Sequence, residues 1–500
     1  MTRPVRTAAR THLLVILPLA LALGACSTTP ALSVTASPTS IGGDGQSPIT
    51  VTAKVTSGGA PATDGTPVHF VATDGVFTID GTPTANPLVV DVNSQSGAAT
   101  AVLTVPRRGR GNITITASSS FSGSSVSQAV TVALTPAGSL ATSLQFSCAS
   151  QNVGGLVPEL ANPIHVLCTA NAVDANGAVI PNASIEPYAE AGELSWITDN
   201  TSGKQLLVYT INPGATPPLD VDPFGPDGHA RSLCPNICSN DPTTCDAEPC
   251  WVGNNGITHN PRDGVATLMV AVPGVPGFFD QNANGEPFVD SNDNNVHDTG
   301  EFFIDVNGNG RYDDNSGGQQ QNPRMVWRAL RIIWSGEADV SNSTHGSHVT
   351  GTPSGAKLNN LVVRLNDINF NKLAVDSADG SDGFALAAAC NPDGSLTGNV
   401  FNAVPKLDPH NPGILFDPPT GNISGPGLPS TYRQETDTQL QSFGSPQISG
   451  NTGISQCTVS ATVTRTFDPG AGTLFNSQGS LANETVSNTF SFAAPTDGGS

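Results

Sequence analysis

Side chains that can act as oxygen ligands recur at a regular spacing between residues 280 and 316. Nine residues of this stretch are acidic, and Arg311 is its only strong base. So much like charge drives a chain segment apart, whereas a hard cation with oxygen ligands would hold it together. The stretch therefore predicts a metal-binding segment, and the alternative is a solvated acidic loop that binds nothing.

The acidic stretch contains two copies of one pattern, offset by 15 residues, because Glu-Pro-Phe-Val-Asp at 286–290 matches Glu-Phe-Phe-Ile-Asp at 301–305. From the final Asp of each copy, oxygen ligands follow the order of a twelve-residue calcium loop, with a carbonyl at the seventh position and a Glu at the twelfth. The first loop is complete, and its ligands are Asp290, Asn292, Asn294, Val296, Asp298 and Glu301. The second loop has Asp305, Asn307, Asn309 and Asp313 but Ser316 in the last position, and a weaker third copy has Asp280, Asn282 and Asn284.

The distance between the two loops excludes a helix-loop-helix site. Only three residues, 302–304, separate Glu301 from Asp305, and three residues do not complete one helical turn. The stretch resembles the calcium-binding repeats of thrombospondin type 3 and similar bacterial spacers. The resemblance implies that calcium is the cofactor and that it orders a spacer.

The first residues of the chain have the pattern of an export signal. Arg3, Arg6 and Arg10 precede an apolar run from Leu13 to Leu23. This run is too short to span a bilayer, and a basic segment followed by a short apolar segment is typical of a cleaved signal peptide. The sequence therefore predicts an exported protein.

The end of this signal carries a more specific motif, Leu-Gly-Ala-Cys at residues 23–26. It resembles the lipobox of bacterial lipoproteins. The resemblance implies that residues 1–25 are removed, that Cys26 is lipidated and that residues 26–30 form a tether. Ser27 after the cysteine implies sorting to the outer membrane, so the expected location is the outer membrane or cell surface. The alternative is an ordinary secretory signal with a chance cysteine.

Eight cysteines remain once the lipobox cysteine is set aside, and an even number in an exported protein predicts disulfides. Cys148 and Cys168 fall on inward-facing strand positions, so a disulfide between them would cross a core. Cys390 and Cys457 can pair and would close the loop 391–456.

The other four cysteines form a cluster: Cys234, Cys238, Cys245 and Cys250. We expect two local disulfides, for which three connectivities are possible. A zinc site is the alternative, but the cluster has no Cys-x-x-Cys pair and the compartment is oxidising.

Residues 31–134 alternate apolar and polar side chains in about seven short runs separated by turns, which is typical of a β-sandwich. Two of these runs are Ile-Thr-Val-Thr-Ala-Lys-Val at 49–55 and Gly-Asn-Ile-Thr-Ile-Thr-Ala at 111–117. The segment resembles the bacterial immunoglobulin-like (Big, invasin/intimin-type) domain. The resemblance implies an immunoglobulin-like sandwich.

Similar patterns continue to the end of the chain. They predict a second immunoglobulin-like domain at 139–337, a linker at 341–354 and a third immunoglobulin-like β-domain at 355–496. Two insertions interrupt the second domain, a Cys-rich one at 213–258 and the acidic one at 280–316. The predicted fold is all-β, with tandem immunoglobulin-like β-sandwiches and long loop insertions.

Charge and missing motifs limit the function. The net charge of −21 disfavours nucleic acid and anionic membrane surfaces as partners, so the lipid anchor is the expected membrane contact. No HExxH, G-x-S-x-G, P-loop or G-x-G-x-x-G motif is present. His345 and His348 form an HxxH in a Gly/Ser/Thr-rich loop, where a solvated linker is favoured over a metal pair.

The sequence favours a non-catalytic, lipid-anchored surface protein with a structural or adhesive role. Adhesion comes only from the resemblance, and it would require a protein or glycan ligand on a cell surface. One alternative is a scaffold lipoprotein without a ligand. The other is a hydrolase or carbohydrate-active enzyme that uses the Cys-rich loop or loop 391–456.

Overall fold

The computed structural model describes residues 30–121, 124–149, 152–156, 163–198, 205–219, 251–252, 256–275, 285–292, 296–306, 309–314, 324–340, 346–354, 357–364, 366–369, 371, 373, 384–391, 394–397, 440–442, 447–450, 456–463 and 484–492. Several residues with predicted roles lie outside these ranges: Cys26, Cys234, Cys238, Cys245, Cys250, Asp280, Asn282, Asn284, Asn294, Asn307 and His345. Among the described residues, no helix is long and apolar enough to cross a membrane.

The first compact unit draws on Met1–Ile41, Gln46–Pro106 and Asn112–Ala133. Its strands are β1 (Pro30–Ser37), β2 (Ser40–Gly42), β3 (Pro48–Ser57), β4 (Ala60–Pro61), β5 (Pro67–Ala72), β6 (Val76–Ile79), β7 (Thr82–Pro83), β8 (Val89–Asn93), β9 (Ala98–Thr104), β10 (Asn112–Phe121) and β11 (Ser124–Thr135). One sheet has the order β1-β3-β9-β6-β7, with β4 paired to β3, and the other has the order β2-β11-β10-β5-β8. The two sheets form an immunoglobulin-like sandwich.

Alternating side chains close this first sandwich. Along β3, Ile49, Val51, Ala53 and Val55 are all fully buried, and the residues between them are more exposed. A strand with one face on the core and one in water has this period of two. The alternation predicted from the sequence is confirmed.

The second compact unit comprises Gly42–Gly45, Arg107–Gly111 and Leu134–Ser500. Its first ten strands are β12 (Ser143–Cys148), β13 (Asn152–Val153), β14 (Ile164–Val173), β15 (Glu186–Ala189), β16 (Glu193–Thr198), β17 (Gln205–Ile211), β18 (Trp251–Val252), β19 (Thr258–His259), β20 (Val265–Gly274) and β21 (Arg324–Trp334). Sheets β12-β14-β17-β16 and β13-β21-β20-β15 form a second sandwich, and β18 pairs with β19.

The core of the second sandwich contains two large side chains with polar atoms. Trp334 and Tyr209 are both fully buried. Trp334 Nε1 donates to the Tyr209 hydroxyl over 2.7 Å, and that hydroxyl donates to the Ala191 carbonyl over 2.7 Å. Each buried polar atom of the pair is therefore hydrogen-bonded, which removes the cost of leaving it unpaired.

Strand β20 differs from the strands of the first sandwich because all ten of its positions are buried. Leu268 and Val270 face the inner core, together with Trp334. Met269 and Ala271 face the other way and belong to a separate apolar cluster. The sheet that contains β20 is therefore covered on both faces.

The remaining strands are β22 (His348–Ser354), β23 (Lys357–Arg364), β24 (Phe384–Asn391), β25 (Gly394–Thr397), β26 (Leu440–Ser442), β27 (Gln447–Gly450), β28 (Gln456–Val463) and β29 (Glu484–Ser491). They form one sheet of order β22-β23-β27-β25-β24-β28-β29, with β26 paired to β23. The described strands of this third region therefore make a single antiparallel sheet, where the sequence predicted a third immunoglobulin-like domain.

Both disulfides outside the Cys-rich cluster join neighbouring strands. Cys148 lies opposite Cys168 on β12 and β14, and Cys390 lies opposite Cys457 on β24 and β28. The expectation that the first disulfide crosses a core is wrong, because its two residues are register partners within one sheet. The second disulfide closes the loop 391–456 as expected.

Candidate functional site

The acidic insertion folds onto the outer face of the β20–β21 sheet. Phe288, Val289 and Ile304 are at most 5% exposed, and they pack in one cluster with Met269 and Trp327. A freely solvated loop would not bury these apolar side chains. Strands β20 and β21 pair directly with each other, so the insertion covers the same two strands that it connects.

The two copies of the repeat pair with each other. Val289 N donates to Phe302 O and Ile304 N donates to Pro287 O, both over 2.8 Å. An offset of 15 residues relates Pro287 to Phe302 and Val289 to Ile304, so each bond is the equivalent of the other. The pair therefore has approximate two-fold symmetry.

Four rings mark the centre of this pair. His297 stacks on Tyr312 with 4.0 Å between ring centroids, and these two residues are equivalent under the same offset. Phe288 and Phe303, which are also equivalent, each meet both stacked rings edge-on at centroid distances of 5.3 to 5.9 Å. Burial raises the pKa of the Tyr312 hydroxyl to about 12, and nearby carboxylates contribute to the increase.

Two glutamates occupy equivalent places in the two loops. Glu301 accepts from Ser291 N and Asp298 N, each over 2.8 Å. Glu286 accepts from Val306 N over 2.7 Å and from Asp313 N over 3.2 Å. Adding 15 to Ser291 and Asp298 gives Val306 and Asp313.

Glu286 therefore accepts the same pair of backbone hydrogen bonds from the second loop that Glu301 accepts from the first loop. The sequence prediction looked for the last acid of the second loop at Ser316 and missed Glu286, which comes before the loop. The signal that could have found it is the 15-residue alignment itself, because that alignment pairs Glu286 with Glu301.

The second loop is folded around Asp305. Its carboxylate accepts from Asn309 N over 3.2 Å and from Gly310 N over 2.7 Å. Asn309 Nδ2 donates to Asp313 Oδ2 over 2.7 Å. Gly310 has a φ of 74°, which a glycine adopts without strain.

Glu286 lies among the acids of the second loop. Burial raises the pKa of Glu286, and the carboxylates of Asp305 and Asp313 raise it further, while hydrogen bonds from backbone N–H groups lower it. Carboxylates of the two repeat copies thus interact electrostatically, and the folded insertion holds charge that a cation would neutralise.

In the first loop a protein cation already partners one predicted ligand. Arg331 Nη2 donates to Asp290 Oδ2 over 2.6 Å, and both side chains are buried. Asn292 Nδ2 donates to Asp298 Oδ2 over 2.6 Å, and Val296 is 60% exposed. The most complete loop in the sequence is therefore the one whose first acid is paired with arginine.

The donor set restricts how a metal ion could bind. In the part of the chain that the structure describes, no group of three or more His, Cys, Asp or Glu side chains is arranged to hold a metal ion. Besides carboxylates, calcium accepts amide oxygens, carbonyl oxygens and water as ligands, and the loop order assigns amide and carbonyl oxygens to Asn292, Asn309 and Val296.

One open groove lies elsewhere on the second sandwich. Glu190, Glu193, Asn212 and Leu219 are among the residues that line this space of about 560 Å³. Glu190 accepts from Thr267 N over 2.8 Å and from Leu219 N over 3.4 Å. Both of its carboxylate oxygens thus accept hydrogen bonds from backbone N–H groups of neighbouring segments.

No protein-family model matches this chain, and no curated protein matches it in sequence. Among solved structures, it is similar to invasin, a bacterial integrin-binding protein, at 13% identity and a TM-score of 0.22, over 91% of this chain and 60% of that one. It is also similar to the Yersinia pseudotuberculosis adhesin InvE at 16% identity and a TM-score of 0.20, over 48% of this chain and 55% of that one. The D0-D1 domain of intimin matches at 17% identity and a TM-score of 0.18, over 49% of this chain and 93% of that one.

The chain spans 60% and 55% of the lengths of the first two structures. At these TM-scores the similarities carry no argument about function. The immunoglobulin-like fold rests instead on the two sandwiches described above. This chain is an all-β protein of tandem immunoglobulin-like sandwiches, and its acidic insertion lies on an outer sheet face.

Proposed function

We propose that this chain is a non-catalytic, lipid-anchored surface protein with a structural or adhesive role, and that calcium orders its acidic insertion. One observation supports the calcium proposal: the two repeat copies exchange their glutamates. This exchange brings Glu286 of the first copy to the second loop and Glu301 of the second copy to the first loop. It supplies the second loop with the acid that its own sequence lacks.

The ligands of the second loop are Asp305, Asn307, Asn309, Asp313 and Glu286. Those of the first loop are Asp290, Asn292, Asn294, the Val296 carbonyl, Asp298 and Glu301. Bound calcium would supply positive charge and would coordinate the oxygen ligands of a segment dense in carboxylates. The chain's own residues bring the two loops together and hold them on the sheet.

A calorimetric calcium titration of the purified chain tests this proposal. Glu286→Gln should weaken calcium binding at least about tenfold, which corresponds to a loss of about 1.4 kcal/mol. The matched control is Asp314→Asn, which removes an acid of the same insertion that is not assigned as a ligand, and it should change the affinity little. Absence of calcium binding by the unaltered chain, or equal losses in the two variants, would contradict the proposal.

The lipid anchor and the surface location rest on the signal sequence and the lipobox. Cys26→Ala should shift the protein from the membrane fraction to a soluble fraction when it is expressed in a Gram-negative host, and radiolabelled fatty acid should no longer be incorporated. A variant that stays membrane-bound would contradict the anchor.

The adhesive role is tested by binding of the purified chain to whole cells and to glycan arrays. Saturable binding supports a protein or glycan ligand. Its absence leaves the scaffold role, in which the tandem sandwiches act as a spacer.

A further inference from the structure

Strand β11 lies at the edge of its sheet along most of its length. On one side it pairs with β10. On the other side its described neighbour is β2, which is only three residues long. The contact on that side lies near the end of β11, where Ala133 N donates to Thr39 O over 3.0 Å. Residues Ser124–Val130 therefore have no second neighbour among the described strands, and they are called the open edge from here on.

The backbone of the open edge has groups that can pair with another strand. In an antiparallel pair, the N–H and C=O groups of alternate residues point to opposite sides of a strand. Because Ala133 N points away from β10 and towards Thr39, the residues at two-residue steps before Ala133 point the same way. Ser125, Ser127 and Ala129 therefore direct their N–H and C=O groups outward, and all three residues are exposed.

The open edge lacks the features that usually prevent edge strands from pairing, which are charged side chains, proline and β-bulges. No Asp, Glu, Lys, Arg or Pro occurs between residues 112 and 135. The register between β10 and β11 continues from one end of the pair to the other without a shift, so no bulge interrupts it. The open edge is therefore a regular, uncharged template for a further strand.

The absence of charge favours a second copy of this chain as the partner. A charged strand would find no complementary charge at the open edge, whereas an uncharged strand can pair with it, and the open edge is itself such a strand. Two copies of a chain with a net charge of −21 repel each other. A segment without ionised side chains is where they can approach at the least electrostatic cost.

We propose that two copies of the chain pair through their open edges, antiparallel and with a two-fold axis at Ser127. Full overlap of the open edges puts Ser127 opposite the same residue of the second copy and Ser125 opposite Ala129. Each of these residues then exchanges hydrogen bonds with the residue opposite, which gives about six bonds between the chains. Because both copies use the same surface, the contact closes on itself and produces a dimer.

The contact is small, so the dimer forms reversibly. A strand of this length spans about 24 Å, which is too little by itself for the roughly 1,200 Å² that a stable interface buries. Association therefore needs a high local concentration, which tethering both copies to one membrane would provide. The inference goes beyond the proposed function and does not depend on calcium, because the open edge belongs to the first sandwich.

Sedimentation velocity of the purified full chain in calcium chelator tests the proposal. With increasing concentration up to about 1 mM, the average mass should rise from that of the monomer towards that of the dimer and no further. Added calcium should not change this rise.

Variants at two positions test whether the open edge makes the contact. Ala129→Pro removes an outward N–H that the pairing with β10 does not use, and it should lower the dimer fraction severalfold. Ala129→Ser keeps that N–H and is the matched control, with an unchanged dimer fraction. Ser127→Asp places two carboxylates opposite each other at the two-fold axis and should also weaken the dimer, and high salt should restore part of it.

Circular dichroism and a thermal melt of each variant check that the first sandwich stays folded. If Ala129→Pro unfolds it, Ser127→Asp decides alone, because this variant changes an exposed side chain and keeps every backbone donor. A chain that stays monomeric throughout would overturn the proposal and leave the open edge to a strand of another protein. A dimer that persists equally in Ser127→Asp, or growth beyond the dimer, would also overturn it. None of these results bears on the calcium proposal, since they are obtained in chelator.

Discussion

The inner and outer faces of the sheet β13-β21-β20-β15 are both apolar, but chemically different segments cover them. The inner face, with Leu268, Val270 and Trp334, packs against the opposite sheet of its own sandwich. The outer face, with Met269 and Trp327, packs against a segment in which acidic residues are frequent. Equal burial therefore does not mean equal stability, because only the outer contact works against repulsion between carboxylates.

The largest expected effect separates the two faces directly. Trp334→Ala should lower the free energy of unfolding by about 3–5 kcal/mol, because it removes a large buried side chain and the hydrogen bond to Tyr209. Trp327→Ala should cost clearly less, since the acidic insertion can shift to relieve the lost packing. Urea unfolding followed by circular dichroism measures both losses, and equal losses would break the comparison.

The next effect concerns the ion pair between Arg331 of the sheet and Asp290 of the acidic insertion. Arg331→Met leaves Asp290 buried without its charge partner and should cost about 3 kcal/mol, at the low end for a broken buried pair because the acidic insertion can shift. The double variant Arg331→Met with Asp290→Leu should recover most of this loss, since no charge then stays buried. A double variant as unstable as the single one in urea unfolding would argue against this explanation.

A smaller effect distinguishes the two loops. For a site with a dissociation constant of about 0.1 mM, free calcium at about 1 mM should stabilise the chain by roughly 1.4 kcal/mol. Thermal melts with calcium and with chelator should show this shift. We expect Asp305→Asn to remove more of it than Asp290→Asn, because Arg331 already neutralises Asp290; the reverse order would place the main site in the first loop.

The smallest effect is a pH dependence on strand β15 of the same sheet. Burial raises the pKa of Glu186, although Arg110 and Tyr188 oppose this increase. The folded chain therefore binds this proton more tightly than the unfolded chain does. The resulting stabilisation is complete below the ordinary glutamate pKa of about 4.3, and it is lost as the pH rises through the higher value of the folded state.

The glutamine of Glu186→Gln does not titrate, so this variant should not lose that stabilisation as the pH rises. Between about pH 4 and pH 7.5, the unfolding free energy of the unaltered chain should fall relative to that of Glu186→Gln. Urea unfolding at both pH values, at one calcium concentration, measures the difference. A constant difference, or a change of opposite sign, would show that the anion is not disfavoured at this position.

Much of the fold follows from local pattern. The alternation of Ile49, Val51 and Ala53 predicts a strand with one buried face, and the apolar run at 264–272, which became β20, predicts a strand. The sequence also places the acidic insertion between that run and the run that became β21, and these two strands pair in the structure. The sequence did not show that β20 is covered on both faces, because a continuous apolar run is equally consistent with a sandwich core.

The features that were missed depend on contacts between distant residues. Reading ligands along one loop could not assign Glu286 to the second loop, because the two copies exchange glutamates only when they pair. The partner of Asp290 is Arg331, which lies 41 residues later. The disulfide between Cys148 and Cys168 required the strand register, since inward-facing positions alone do not tell whether two strands belong to the same sheet.

Hydrogen exchange measured by mass spectrometry, with calcium and with chelator, tests the difference between the two faces most directly. The account predicts that chelation speeds exchange at the amides of Val289, Ile304, Val306 and Asp313, whose hydrogen bonds join the two repeat copies of the acidic insertion. Strands β14 and β17 of the opposite sheet should keep their protection. Unchanged protection of these four amides, or a simultaneous loss of protection at these amides and in β14 and β17, would contradict it.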